Sequence, residues 1–234
     1  MNDDFDLDRL GDVPDPLSGV SDWPLPPRPA AAALGPSPTR AGVAAIRATA
    51  LVVALLYELA WIGIMNGRAD LHTMPLSTLL LELAIPLGTA LLALAAAAGS
   101  GNESLGQPKA RLVTLALLSP VLFVVGSFLA GNFVASADLD TEAFWPHALR
   151  CFLWTSLYAL GPLSLAVWAF RRSFATAPAW RTAALGMACG AAGAATMSFV
   201  CSVGTPAHVI VGHGGIILVA ALGGALLGRR FGEA

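Results

Sequence analysis

Six apolar runs, each long enough to cross a lipid bilayer as a helix, constrain this chain more than any other feature. An α-helix of about 20 residues spans a hydrocarbon core of about 30 Å. Hydrophobic residues make up 56% of the chain and charged residues 12%, against about 25% charged in soluble domains. The sequence therefore predicts an all-α, polytopic membrane protein, a six-transmembrane-helix bundle within residues 43–234. The predicted spans are 43–65, 75–98, 112–135, 150–170, 181–203 and 206–228.

Residues 1–42, before the first apolar run, have the composition of a disordered tail. They are rich in Pro, Asp, Ser and Ala, and the stretch WPLPPRP favours extended polyproline geometry over helix. Disordered segments often fold when they bind a partner, so the apolar side chains in this tail are candidate partner contacts. A plain spacer is the alternative. The candidate contacts are Phe5, Leu7, Leu10, Trp23 and Leu25.

Positive charges predict how the chain is oriented, because loops on the cytoplasmic side carry the excess of Lys and Arg. Of 13 such residues, only Arg68 and Arg150 fall on the side opposite the tail. Both termini are therefore expected in the cytoplasm, which in a bacterium makes this a multi-pass protein of the inner membrane. The start MNDDFDLDRL lacks the basic and apolar regions of a cleavable signal peptide, so we expect the amino terminus to be retained.

Composition and motifs argue against several functional classes. A net charge of −2 speaks against direct nucleic-acid binding, which normally needs a basic face. Three cysteines without a CxxC pair suggest neither a disulfide framework nor a zinc ribbon. The sequence contains no GxSxG, P-loop or HExxH motif. No enzyme activity is predicted.

Two carboxylates lie well inside the apolar spans, where ionisable side chains are rare and costly. Glu58 is about seven residues before the outer end of the first span, and Glu82 about as far into the second, which puts both about 10 Å below the outer edge. His213 reaches the same depth in the sixth span. Cys201 and His208 are expected nearer the outer surface, around a tight external hairpin.

Two interpretations of these polar groups stay open. One is a metal site for Zn or Cu, which accept sulfur, imidazole and carboxylate ligands. The other is that the carboxylates are protonated or hydrogen-bonded and fix which helices pack together. His208 and His213 are five residues apart, about 140° around an α-helix, so a chelate from this helix alone is not expected. The candidate residues are Glu58, Glu82, Cys201, His208 and His213.

The cysteines suggest a further candidate site. Cys151 opens the fourth span and Cys201 closes the fifth at the same level, so antiparallel neighbours could bring them together as a redox pair. Simple packing of a small apolar residue is the alternative. Packing is also the simplest interpretation of Cys189 in the middle of the fifth span.

The combination of a disordered cytoplasmic tail, six spans, a cysteine that closes span five and a small-residue sixth span that ends in GALLGRR resembles the NrsF group of six-helix bacterial anti-sigma proteins. This chain departs from the group's frequent Cys-Pro, since Ser202 follows Cys201. The resemblance implies that the tail holds an extracytoplasmic-function-type sigma factor at the membrane until a signal releases it. The alternative is a small membrane transporter or metal-handling protein that uses the intramembrane Glu and His residues.

Overall fold

The computed structural model describes residues 40–98, 109–131, 141–170 and 177–232. All regular secondary structure in these ranges is helical, which confirms the predicted all-α class. The candidate tail contacts, Phe5 to Leu25, lie outside the described residues. The helices are α1 (Arg40–Ile64), α2 (Leu76–Ala98), α3 (Lys109–Gly131), α4 (Thr141–Phe170), α5 (Pro178–Ser198), the short α6 (Pro206–His208), a π-helical turn (Val209–His213) and α7 (Gly215–Gly232).

Five stretches of the described chain are long and apolar enough to cross a membrane. Helix α5 is not one of them, because its sequence is rich in Ala and Gly and only weakly apolar. Most of its residues are buried, so it has little surface to offer to lipid. The predicted fifth span thus lacks the usual hydropathy signal. The five stretches are Gly42–Ile64, Leu76–Ala97, Ala110–Gly131, Ala143–Phe170 and Pro206–Arg230.

Two helix ends lie furthest from the sequence prediction. Helix α4 begins at Thr141 rather than at residue 150, with Pro146 inside it. Helix α5 ends at Ser198 rather than at residue 203, and Thr205 is extended with φ −60° and ψ 135°. The residue before a proline is biased towards such extended angles, so Pro206 separates the two helices and leaves a non-helical link that contains Cys201.

Helix α5 lies at the centre of the described bundle and packs against α2, α4 and α7. Small residues allow this, because α5 and α7 approach so closely that a Cβ added at Gly186 would overlap the carbonyl of Ala220. An apolar core joins α2, α3, α5 and α7 and includes Phe123, Leu185 and Ile217. The centre of the bundle is therefore fixed by close helix contact.

Candidate metal centre

Four buried side chains converge at the end of the bundle that carries the α5–α6 link. Cys151 comes from α4, Cys201 from the link, His208 from α6 and His213 from the π-helical turn. One ligand atom from each lies within 4.8 Å of the other three. All four side chains are less than 9% exposed. We call these four residues the Cys/His cluster.

The π-helical turn is what brings the two histidines together. The backbone N–H of Gly214 donates to the carbonyl of Val209 at 2.8 Å, five residues back, which is the bonding pattern of a π-helix. The wider turn lets residues five apart share a face, and the ring centroids of His208 and His213 are 5.3 Å apart. The expectation that a regular helix would keep these two side chains apart was wrong.

A glycine allows this turn to lie against α4. A Cβ added at Gly212 would come within 3.2 Å of the Ala148 carbonyl and 3.3 Å of the Cys151 Cβ, closer than most real Cβ contacts. The Thr155 hydroxyl donates to the Cys151 carbonyl at 2.7 Å and lies 3.4 Å from the Gly212 carbonyl. Helix α4 and the turn therefore hold Cys151 next to the histidines.

Two distances within the cluster are close to those of a tetrahedral zinc site. Zn–S bonds of about 2.3 Å and Zn–N bonds of about 2.0–2.1 Å give ligand separations of about 3.8 Å for S–S and about 3.6 Å for S–N. The Cys151 and Cys201 Sγ atoms are 3.7 Å apart, and Cys201 Sγ is 3.5 Å from His208 Nε2. Both thiols are free. These residues fit a metal ion with few changes.

Cys201 and His208 are buried within the bundle, at 8% and 0% exposed. The reason is that α6 and the π-helical turn pack against α3 and α4. Thr205 precedes α6 and Pro206 is its first residue, and among the described residues the Thr205 side chain makes no capping hydrogen bond.

The two intramembrane carboxylates are not part of the cluster. Glu58 accepts a hydrogen bond from the Thr196 hydroxyl at 2.5 Å, which joins α1 to α5. Glu82 accepts one from Arg68 at 2.7 Å. Neither carboxylate belongs to the four-residue group, although Glu82 lies beside Cys201 and His213 around a small cavity.

Arg68 organises the link between α1 and α2. Its guanidinium donates to both carboxylate oxygens of Asp70, at 2.6 and 2.7 Å, and its backbone N–H donates to the Phe199 carbonyl at 2.8 Å. These hydrogen bonds hold the pKa of Asp70 below its usual 3.8. The link is thereby fastened to the end of α5.

Aromatic side chains connect the cluster to α1. Trp61 on α1 lies 6.2 Å from Trp154 and 5.5 Å from Tyr158, between ring centroids. Both cysteines of the cluster belong to the same apolar group as Tyr158, with Trp61 packed against it. The helix that follows the tail therefore contacts the surroundings of the Cys/His cluster.

The sequence interpretation missed two features of this site. Cys151 was considered only as a redox partner, although its predicted level already matched that of Cys201. His147 was not considered at all, and its ring centroid lies 6.0 Å from that of His208. His147 precedes Cys151 by one helical turn, so a helix begun before residue 147 would have revealed it.

A family model matches this chain, although individual known proteins do not. Neither a curated protein nor a solved structure matches the chain. The family model NrsF, described as negative regulator of sigma F, matches residues 30–232, which is most of the chain and includes every described helix. With a match of this extent, the chain belongs to the NrsF family of negative regulators of sigma factor.

Proposed function

We propose that this protein is a membrane-embedded anti-sigma factor whose cytoplasmic tail binds an extracytoplasmic-function-type sigma factor and keeps it from RNA polymerase. The family match over residues 30–232 carries the proposal. In this proposal α1 to α5 and the α6–α7 segment cross the bacterial inner membrane six times. The distribution of Lys and Arg supports cytoplasmic termini. With that orientation, the Cys/His cluster lies inside the bundle at the level of the outer half of the bilayer.

The tail proposal is tested with the full-length protein and an extracytoplasmic-function-type sigma factor from the same genome. Wild-type protein in detergent should retain the sigma factor, whereas Trp23→Ala and Leu10→Ala should weaken retention, since buried apolar anchors carry most interface energy. Leu17→Ala is the matched control, because Leu17 is an apolar tail residue outside the predicted contacts. Equal retention by all three variants would count against these contacts, and no retention by wild type against sequestration.

The Cys/His cluster is proposed as the sensor, with a soft divalent cation of the Zn type as its ligand. Support comes from the convergence of four buried donor atoms within 4.8 Å and from two separations of tetrahedral size. The intramembrane acids, bonded to Thr196 and Arg68, support a structural role rather than transport.

The zinc content of the purified protein tests whether the Cys/His cluster binds metal. Purified reduced protein should bind about one Zn²⁺ per chain, as a closed structural site does. Cys201→Ser and His208→Ala should lose this binding. Cys189→Ser is the control, because Cys189 is buried but lies outside the four-residue group. Stoichiometric binding that survives Cys201→Ser would refute the assignment.

Oxidation of Cys151 and Cys201 is the second candidate signal, favoured by their 3.7 Å Sγ separation. A disulfide needs about 2.05 Å, so closure requires a small movement. Two thiols would lose two protons and two electrons to a peroxide, which is reduced to water. Peroxide should then protect both cysteines from maleimide in metal-free protein, and bound Zn²⁺ should slow that reaction. If peroxide leaves both thiols reactive, the redox signal is excluded.

Helix α1 is proposed as the route from sensor to tail. It contacts the surroundings of the cluster through Trp61, and the Tyr57 hydroxyl donates to the Leu157 carbonyl of α4 at 2.9 Å. A change in the cluster that moves Trp154 or Tyr158 would shift α1 relative to α4. We propose that this shift changes how the tail, which precedes α1 in the sequence, binds the sigma factor.

A further inference from the structure

A cavity of about 40 Å³ lies beside the Cys/His cluster, between α2, α3, α5 and the π-helical turn. Cys201 and His213 line it, so it is continuous with the cluster. Arg68 and Glu82 line it as well, which places it at the same end of the bundle as the α1–α2 link. A buried water needs about 10–15 Å³ of such volume, so the cavity has room for a few water molecules or a partly hydrated ion.

Three polar atoms around this cavity lack a hydrogen-bond partner within the described ranges. They are Glu82 Oε1, Ser127 Oγ and His213 Nε2. Ser127 is 5% exposed and His213 3%. Buried polar atoms in folded proteins are nearly always satisfied, so three unsatisfied atoms on residues that line one cavity indicate a polar occupant.

Charge around the cavity selects a cation. Arg68 directs its donors to Asp70, to Glu82 Oε2 and, at 3.5 Å, to the Ser198 carbonyl, so its guanidinium is already engaged and is poorly placed to hold an anion. Arg68 and the two carboxylates that it bonds, Glu82 at the cavity and Asp70 outside the cavity lining, together carry a net charge of −1. The second Glu82 oxygen keeps its lone pairs, which suit a hard or borderline cation and its water.

Exposure falls along the polar groups that lead inward. The side chains of Asp70, Glu82 and Arg68 are 42%, 12% and 3% exposed, and His213 and Cys201 at the cluster are 3% and 8% exposed. We propose that the cavity is an entry vestibule in which Glu82 first binds a partly hydrated divalent cation, which then passes by way of His213 to the Cys/His cluster. This inference rests on the proposed metal-binding function of that cluster.

The experiment follows the rate at which metal loads into full-length, reduced, metal-free protein in detergent. Cd²⁺ is the probe, since its bonds to thiolate absorb in the ultraviolet and report arrival at Cys151 and Cys201. Glu82→Gln should slow loading roughly tenfold, because a site that gathers cations electrostatically changes on-rates by 10-fold or more. The final amount of bound Cd²⁺ should stay the same. Loading of Glu82→Gln at the wild-type rate would overturn the vestibule.

Glu82→Gln also changes the hydrogen bond from Arg68, so a second variant is needed that leaves Arg68 and its partners unchanged. Ser127→Val fills part of the cavity without removing a charge, and its hydroxyl has no partner among the described residues to lose, so it too should load slowly. Glu58→Gln is the control, since this carboxylate on α1 is bonded to Thr196 instead, and it should load at the wild-type rate. If Ser127→Val loads as fast as wild type, the cavity is not the route.

The two proposals fail in different ways. Wild-type protein that takes up no Cd²⁺ into thiolate bonds overturns the metal-binding cluster and the vestibule together. A different result would overturn the vestibule alone. In that case full loading occurs at one rate in wild type, Glu82→Gln and Ser127→Val, and the proposal that the Cys/His cluster binds metal stands.

Discussion

Helix α5 and helix α1 are attached to the bundle in opposite ways. Around α5, glycines bring backbones into direct contact, and most of the helix is buried. Only 11% of the apolar span of α1 is buried. Among the described residues, α1 contacts α4 and α5 through Tyr57, Glu58 and Trp61, and Arg47 lies over the ring of Phe170. The centre of the bundle is thus held by close backbone packing, while these contacts of α1 are made by polar and aromatic side chains.

This difference suits a sensor that must move one helix and keep the others fixed. Close backbone packing has few alternative arrangements, because a small shift creates overlaps or voids. A few polar and aromatic contacts can be exchanged at a cost of a few kcal/mol. Substitutions in the two helices should therefore differ in their effects on stability and on sigma-factor retention.

Gly224→Ala should have the largest effect. An added Cβ at Gly224 would overlap the backbone carbonyl of Thr182 on α5, which neither helix can avoid without moving. Overpacking of this kind costs about 1–3 kcal/mol or more, so the thermal midpoint in detergent should fall clearly. Gly223→Ala is the matched control, because nothing lies within 4 Å of its added Cβ. A fall of equal size at both positions would show that the close α5–α7 contact is not the cause.

Thr196→Val should come second, because it removes the hydrogen bond between α5 and α1. Glu58 Oε1 already lacks a partner among the described residues, so the variant leaves the whole carboxyl group unsatisfied. The cost of such a group is about 1–3 kcal/mol, seen as a lower thermal midpoint and weaker retention of the sigma factor.

Thr89→Val provides the comparison for Thr196→Val. Thr89 is fully buried too, but its hydroxyl donates at 2.8 Å to the Ile85 carbonyl in its own helix. Its loss should therefore leave α1 and the sigma factor unaffected. Release of the sigma factor by Thr89→Val as well would mean that general destabilisation, and not the contact between α1 and α5, controls the tail.

Trp61→Leu should have a smaller effect on stability and a specific effect on signalling. Aromatic pairs contribute about 0.5–1.5 kcal/mol beyond their buried area, and Trp61 contacts two such partners on α4. Zn²⁺ binding should remain while its influence on sigma-factor retention is lost. Trp168→Leu, at a 47% exposed position, should keep both. If Trp61→Leu keeps the metal response, the signal does not pass through this residue.

Sequence patterns predicted the helices better than the site. Apolar runs located four of the spans closely because lipid demands long apolar helices, whereas α5 gave a weak signal because it faces protein. Cys201, His208 and His213 lie together in the structure, whereas an α-helical period separated the two histidines. The π-helical turn packs against α4 around Gly212, and no local pattern announces it. The two carboxylates were expected at one depth, but depth gives height in the bundle and not direction, and they bond to Thr196 and Arg68 instead.

The smallest effect is expected at Asp70, which with Arg68 fastens the end of α1 to α5. Its pKa in the folded protein lies below 3.8 because Arg68 donates hydrogen bonds to it. A lowered pKa stabilises the fold above pH 3.8, and this contribution disappears as the pH falls through the folded-state value. Since the side chain is 42% exposed, solvent screening keeps the effect small. Asp70→Asn should therefore lower the thermal midpoint slightly at pH 6 and converge with wild type once the pH falls below the folded-state pKa of Asp70. Thr73→Val in the same link should shift both values equally, so a parallel shift for Asp70→Asn would show that its charge contributes nothing.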